Sequence, residues 1–339
     1  MKILGVETSC DETSAAVYDE SAGVLSNIIS SQQIHLQFGG VVPELASRAH
    51  LRKIIPIVEE ALTQAETPLQ QIDGFAVTYG PGLVGALLVG VNYVKALARS
   101  LEKPFVGVNH MEGHIFANLI AFPELPFPLL CLVVSGGHTL LVKLPQPLQY
   151  EVIGQTLDDA VGEAFDKVAK FMQLPYPGGP QIERIGTEGN PEFLRLPRPL
   201  LQDKSFNFSY SGLKTAVMNE IRKLSAAELE AHFADVCASF QAAAIDVLVE
   251  KTIRAARTFQ LPNIAIAGGV SANKYLRLRL TRRASEYNMR VYMPPIEYCT
   301  DNAAMIARIG LERLRRKDQS TTRLNAYPSL TLNEERFRE

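Results

Sequence analysis

The chain has 339 residues, 47% of them hydrophobic and 21% charged, with a formal net charge of −2: enough for two globular domains, with no global pull on nucleic acid, so a polyanion partner needs a local basic face or a second protein. No apolar run reaches the ~18 residues of a membrane span, and the start turns acidic at Glu7 with no signal-peptide layout. Four scattered cysteines (Cys10, Cys131, Cys237, Cys299) form no C-x-x-C pair, which fits reduced cytosolic thiols and not a disulfide framework.

In chain order, Lys2 to Glu7 reads as a buried apolar strand, Thr8 to Ser14 as a polar turn dense in hydroxyls and carboxylates, and Ala15 to Tyr18 as a second strand. A hairpin tip of this composition is either a plain polar turn or a holder of phosphate and its counter-cation. Val24 to Ser30 is a third strand. A glycine-rich loop from Phe38 then enters a helix at Pro43, where Glu44, Arg48 and His50 read as a solvated face.

Ile72 to Thr78 is a strand running into Gly80, Gly82 and Gly85, spaced as G-x-G-x-x-G before a small-residue helix. That spacing matches a dinucleotide loop but comes after three earlier strands, so it reads as a close helix–strand contact. Lys103 to Asn109 is a short strand leading into His110-Met111-Glu112-Gly113-His114. Two imidazoles four apart share one helix face, a workable spacing for one metal ion. The zinc-protease order H-E-x-x-H is absent: Met111 follows the first histidine, and Glu112 is turned about 100° further round the helix. A third ligand must come from elsewhere.

Pro123, Pro126 and Pro128 mark a boundary. The opening pattern then recurs: strand Leu129 to Val134, turn Ser135-Gly136-Gly137-His138-Thr139, strand Leu140 to Lys143. The repetition sets a ligand-binding tip, with Gly136 and Gly137 admitting an oxygen close to backbone N–H groups, level with a plain Gly-Gly hairpin turn. Thr156 to Lys167 reads as a helix N-capped by Thr156, with Asp159, Glu163 and Asp166 on one face beside Gly162. Tyr176 to Pro180 is a glycine turn before a helix with Glu183.

Residues 190–214 read as irregular, with Arg195, Arg198, Lys204 and Lys214 among Phe206, Phe208 and Tyr210. Such interleaving is either a grip for single-stranded nucleic acid or an ordinary long loop. After further helices, strand Asn263 to Ala267, turn Gly268 to Ala272 and a basic helix from Asn273 (Arg277, Arg279, Arg282, Arg283) form a nucleotide- or anion-type site. Arg290 to Met293 is the last strand. Asp301 opens the final helix, as an N-cap or, if the chain folds back, as the third ligand to His110 and His114. The tail after Lys317 is polar and expected to pack loosely.

Taken as an ordered set, these motifs resemble one family. They are Gly5 to Thr13, Gly39 to Glu44, Gly80 to Leu83, His110 to His114, Val133 to Thr139, Gly162 to Lys167, Tyr176 to Pro180, Phe208 to Lys214, Gly268 to Asn273 and Cys299 to Asn302. From Ile3 to about Leu314 the chain resembles the bacterial tRNA threonylcarbamoyladenosine transferases, the TsaD family once described as glycoproteases.

The resemblance implies an α/β fold of the actin, sugar-kinase and heat-shock-chaperone (ASKHA) type, with two lobes around a nucleotide cleft. The lobes would be 1–125 and 126–300, the second with a helical insertion, and 301–339 would return to the first as a helix plus tail. It implies one Fe2+ or Zn2+ held by His110, His114 and Asp301. Adenine-nucleotide or substrate contacts would come from Val133, Val134, Ser135, Gly136, Gly137, Asp166, Gly179 and Asn273. The donor would be threonylcarbamoyl-AMP and the acceptor N6 of the adenosine beside the anticodon in tRNAs reading codons that begin with A. The general base is unassigned, with Asp11 and Glu12 as candidates. Expected partners are tRNA, an inactive paralogue of the same fold (TsaB-like) and a small P-loop ATPase (TsaE-like), all in the cytoplasm. Alternatives are a small-molecule kinase of the same fold, a metalloprotease or an inert binding protein. Where many relatives carry an Arg-Pro-Arg-Trp-like stretch near the C-terminus, this chain has Asn325-Ala326-Tyr327-Pro328 and no tryptophan.

Overall fold

The computed structural model describes residues 1–332 and resolves into two compact units, Met1–Leu125 with the chain from Pro294 onward, and Pro126–Met293. The strands and helices of the first segment are β1 (Lys2–Glu7), β2 (Glu12–Asp19), β3 (Gly23–Ser31), α1 (Pro43–Gln64), β4 (Gly74–Gly80), α2 (Val84–Ser100), β5 (Phe105–Asn109), α3 (His110–Phe116) and α4 (Asn118–Ala121). The second unit holds β6 (Leu129–Val134), β7 (Thr139–Leu144), β8 (Glu151–Gln155), α5 (Val161–Phe171), α6 (Gly178–Gly186), α7 (Ser211–Ile221), α8 (Ala226–Ala231), α9 (Phe233–Thr258), β9 (Asn263–Ala267), α10 (Lys274–Ser285) and β10 (Arg290–Tyr292). The chain then returns to the first unit as α11 (Ala303–Arg315).

The two sheets repeat one topology. Their orders are β3-β2-β1-β4-β5 and, read the same way, β8-β7-β6-β9-β10. In each, an antiparallel meander is extended by two parallel strands, β4 beside β1 and β9 beside β6. The internal repeat read from the two hairpins is therefore a repeat of whole sheets.

Both faces of the first sheet are covered, which explains why β1 carries an apolar run instead of a polar alternation. Successive residues point to opposite faces. Leu4 and Val6 join Ile54, Val58 and Val91 of α1 and α2 in one core, while Gly5 faces α11. At Gly5 a Cβ would lie 2.5 Å from the Ala303 carbonyl oxygen, so glycine is what lets α11 lie flat on the sheet.

As far as Leu332 the tail does not pack loosely. Ser320 N donates to Phe105 O (2.8 Å) and Gly107 N donates to Ser320 Oγ (2.9 Å), so it caps the otherwise unpaired edge of β5. Leu324 and Leu330 are buried in the core of the first unit. A polar composition hid the few apolar residues that anchor this strap.

Candidate functional site

The first candidate centre lies wholly within the unit that carries β1 and α11. α3 starts at the end of β5, and all seven of its residues are buried. Its tight seat on α11 is set by Gly113, where a Cβ would meet Ile306 Cδ1 at 2.7 Å. Asp301 precedes Asn302, the N-cap of α11, whose side chain accepts from Met305 N (3.0 Å). The cap of α11 is thus Asn302, and Asp301 is left to face α3.

Asp301 Oδ1 lies 3.3 Å from His110 Nε2 and 3.1 Å from His114 Nε2. The two imidazoles meet edge to face with centroids 4.6 Å apart. Glu7, near the end of β1, backs the pair: its Oε2 is 3.0 Å from His110 Nδ1 and also accepts from the Thr78 hydroxyl, while its Oε1 accepts from Ser9 N. Ser9 Oγ lies 3.2 Å from the same His110 nitrogen.

The electrostatics follow. Burial alone would lower His110, but Asp301 and Glu7 outweigh it and hold its pKa well above the usual histidine value. Burial dominates at His114 and lowers it, against the pull of Asp301. Burial would raise Asp301, yet the two histidines hold it far below the carboxylate range. His110 thus favours its charged form between Asp301 and Glu7 and His114 its neutral one, an arrangement in which a metal ion can substitute for a proton.

The residues fit such an ion. One ligand atom each from His110, His114 and Asp301 lie within 4.8 Å of one another. Two neutral imidazoles and a carboxylate are a donor set for a borderline divalent metal, with positions left for substrate or water. The Glu7 carboxylate on His110 Nδ1 is the outer partner that fixes tautomer and ring orientation. His114 Nδ1 has no such partner among the described residues.

Glu112 is not available as a base. Its carboxylate takes both arms of the Arg313 guanidinium (2.8 and 3.2 Å) and is buried. The misplaced acid of the histidine motif is a structural ion pair.

The turn between β1 and β2 is pinned on several sides. Thr8 Oγ1 donates to Ala86 O (2.9 Å) and Leu83 N donates to Ser9 O (2.8 Å). His50 is buried, not solvated: its Nδ1 lies 2.8 Å from Thr13 Oγ1 and its Nε2 3.0 Å from Cys10 O. On this turn Glu12 has its pKa pushed up to about 9 by burial and by Asp301, Asp11 and Glu7. The three glycines after β4 are filled by protein: Gly80 by the Tyr327 carbonyl, Gly82 by Ser9 and Gly85 by Ser47 Oγ. They form close contacts and leave no phosphate loop.

The second unit gathers the other expected residues around the end of β6. Val133 and Val134 are fully buried, so only their backbone can face a ligand. The turn closes through Ser135 N to His138 O (2.9 Å) and His138 N to Ser135 Oγ (3.1 Å), while Cβ atoms at Gly136 and Gly137 would meet nothing within 4 Å. Gly162 of α5 packs on this turn, its Cβ position 2.6 Å from Ser135 O. Asp166 Oδ1 accepts from Gly178 N (2.7 Å), and the Gly179 N–H also bonds the carboxyl. Burial nonetheless raises the Asp166 pKa. Asn273 caps α10 through Leu276 N (2.8 Å) and donates to Gln241 Oε1 (2.9 Å). Asp166 and Asn273 thus hold the turns, and open space is left beside the backbone at Gly136, Gly137 and Gly269.

One sequence reading in this unit changes. α5 begins at Val161, because Thr156 is bridged to Phe208 and spends its hydroxyl on Asp159 O (2.7 Å). Asp159 therefore precedes the helix and pairs with Lys167 and Lys214. In the basic–aromatic stretch Phe208 and Tyr210 are fully buried, Arg198 pairs with Asp246 and Phe206 packs on Phe259, so these groups are engaged within the protein, while Arg195 and Lys204 stay exposed. On α10, Arg279 and Arg283 are likewise tied to Asp246 and Glu250 of α9.

Glu7, Ser9 and Thr78 were not singled out from the sequence. The signal at Glu7 was a lone acid ending an apolar strand, a buried charge that needs partners.

Comparison with known proteins follows the same lines. The sequence model of the TsaD family, tRNA N6-adenosine threonylcarbamoyltransferase, matches residues 23–308. Curated proteins of that description are similar over nearly the whole chain: that of Moorella thermoacetica is 51% identical over 332 residues (98% of this chain, 97% of the relative). That of Caldicellulosiruptor saccharolyticus is 50% identical over 333 residues (98% of each). Among solved structures, component A of (R)-2-hydroxyglutaryl-CoA dehydratase from Acidaminococcus fermentans aligns at TM-score 0.56 and 11% identity, covering 93% of this chain and 99% of that one. HypF of T. kodakarensis aligns at 0.63 and 14%, covering 93% and 48%. At those identities the likeness is one of fold, and it is the ASKHA fold.

Proposed function

The chain belongs to the tRNA N6-adenosine threonylcarbamoyltransferase family, and from that premise we propose that it transfers the threonylcarbamoyl group of threonylcarbamoyl-AMP to N6 of the adenosine beside the anticodon, in tRNAs reading codons that begin with A. The observation that carries the reading is the convergence of His110, His114 and Asp301, with Glu7 behind them.

In the reaction the N6 amine attacks the carbamoyl carbon, the bond from that carbon to the phosphate oxygen breaks, AMP leaves and one proton departs from N6. The segment Val133 to Gly137 and Gly179, with the open space at Gly136, Gly137 and Gly269, binds the AMP portion, and Asp166 and Asn273 hold those turns. N–H groups at Gly136 and Gly137 donate to oxygen as charge develops on it. His110, His114 and Asp301 would hold Fe2+ or Zn2+, which would supply Lewis acidity. Asp11 and Glu12, on the turn beside this centre, are the candidate proton acceptors. Glu12, with its raised pKa, needs added positive charge nearby to serve as a base at neutral pH.

tRNA is the macromolecular substrate, in the cytoplasm. No helix among the described residues is long and apolar enough to cross a membrane. A TsaB-like paralogue and a TsaE-like P-loop ATPase complete the assembly. Support for the paralogue comes from Leu51 and Ile55 on α1 and Val84 and Leu88 on α2, all exposed and spaced four apart on adjoining helices.

The test is mass analysis of nucleosides from cells whose sole copy carries His110→Ala. Loss of threonylcarbamoyladenosine with the protein still folded supports the reading. A normal level overturns the role of His110.

A further inference from the structure

The short helix that carries both histidines is held by the C-terminal strap at its N-cap and by α11 at Glu112. α3 has seven residues, too few to hold a direction by itself. At its start, Asn109 accepts from Met111 N through Oδ1 (2.9 Å) and donates from Nδ2 to Thr331 O (3.0 Å). At its middle, Glu112 is paired with Arg313, whose third nitrogen bonds Asp318 where the strap leaves α11 (2.6 Å). Between these points Tyr327 N donates to Tyr79 O (2.8 Å) and Pro328 O accepts from Gly82 N (3.1 Å). The strap thus runs over the ends of β4 and β5 and meets the ligand helix at its N-cap.

We propose that Asn109 is a positioning residue for the metal centre: one amide joins the first turn of α3 to the strap and so sets the angle at which His110 and His114 present their Nε2 atoms. An N-cap needs only the acceptor oxygen. The donor nitrogen is spent on the strap, which a plain cap does not require. The inference rests on the metal reading of His110, His114 and Asp301.

The experiment uses the full chain with Asn109→Asp and Asn109→Ser. Both keep a capping oxygen and lose the donor to Thr331. Zn2+ affinity is measured by competition with a chelator, the Co2+-loaded protein is followed by visible absorption, and hydrogen exchange is read at the amides of Ser320 and Tyr327. The expected result is faster exchange along the strap, Zn2+ binding weakened about 10-fold, as for other outer-sphere changes, and a shifted Co2+ spectrum. A merely structural role would lower the melting temperature and leave that spectrum alone. Wild-type affinity and spectrum in either variant overturn the proposal, whether or not the strap is freed. His114→Ala is the control for the premise: if it binds Zn2+ as the wild type does, the metal reading fails first and the proposal with it. Should neither Asn109 variant fold, Ser320→Ala, which cuts the bond to Gly107, is judged by the same three readouts.

Discussion

Glu7 Oε2 sits 3.0 Å from His110 Nδ1, across 103 residues of sequence, and its carboxylate also accepts from Ser9 N and the Thr78 hydroxyl. Burial would raise the Glu7 pKa, but the His110 charge and hydrogen bond prevail and keep it lowered. An acceptor-only group is therefore required. In Glu7→Gln the amide NH2 faces either Ser9 N–H or His110 Nδ1 in place of an acceptor. We expect metal affinity to fall about 10- to 100-fold and stability to fall by about 1–3 kcal/mol. Chelator competition and urea unfolding of the same preparation measure both. A variant that holds metal as the wild type does removes Glu7 from the centre.

The Glu112–Arg313–Asp318 triad makes a different prediction, because it supports α3 without facing the ligands. Arg313→Met strands two acids, one of them fully enclosed. Removing one partner of a buried pair costs about 3–5 kcal/mol. Urea unfolding should show a lower midpoint with an unchanged slope. A loss under about 1 kcal/mol would show that water reaches the pair.

How much of this was legible in the sequence depended on whether the signal was local. The sheets were, since β1 and β6 read as apolar strands followed by polar tips. The histidine pair was, since i and i+4 share a helix face. Asp301 could be named as a ligand only through the condition that the chain folds back, and α11 meets that condition by lying on Gly5. The start of α5 was misread because Thr156 has the chemistry of an N-cap, whereas a bridge to Phe208 claims its backbone. The role of Phe208 and Tyr210 stayed open because alternation of basic and aromatic residues does not report which rings are buried. Asn109 was invisible, since its partner is a backbone carbonyl 222 residues away.

Acid should loosen the second unit through Asp159. Burial would raise its pKa, but Lys167 and Lys214 win and hold it below the ordinary 3.8. A group with a lowered folded pKa contributes stability that is present above its unfolded value and is lost as pH falls through the folded one. Between pH 6 and pH 3 the wild type should therefore lose more stability than Asp159→Asn, which has no charge to lose. Urea midpoints at the two pH values give the comparison, and equal losses would mean that the lysine pairs contribute nothing.

The apolar faces of α1 and α2 give a binding prediction. Leu51→Asp with Ile55→Asp places two charges on a surface that is already exposed, so the melting temperature should hardly change. Association with the TsaB-like paralogue, followed by size-exclusion chromatography, should be lost. Retention of the complex would place the partner elsewhere on the chain.

Glycines of the second unit separate ligand space from packing space. At Gly137 a Cβ meets no protein atom within 4 Å, whereas at Gly162 it meets Ser135 O at 2.6 Å and the Gly136 Cα at 2.9 Å. Gly137→Ala should leave stability within about 0.5 kcal/mol of wild type and still weaken AMP binding, because the added methyl takes up room that only a ligand would use. Gly162→Ala should cost stability, because α5 or the 135–138 turn must shift, and should weaken AMP binding by moving the same N–H groups. Neither change touches the unit that carries His110, so Zn2+ affinity should stay at the wild-type value in both. Calorimetric titration with AMP and with Zn2+ on each variant decides the matter. If Gly137→Ala binds AMP normally, the turn after β6 is not where the nucleotide sits, and Gly179 and the open space at Gly269 become the place to look.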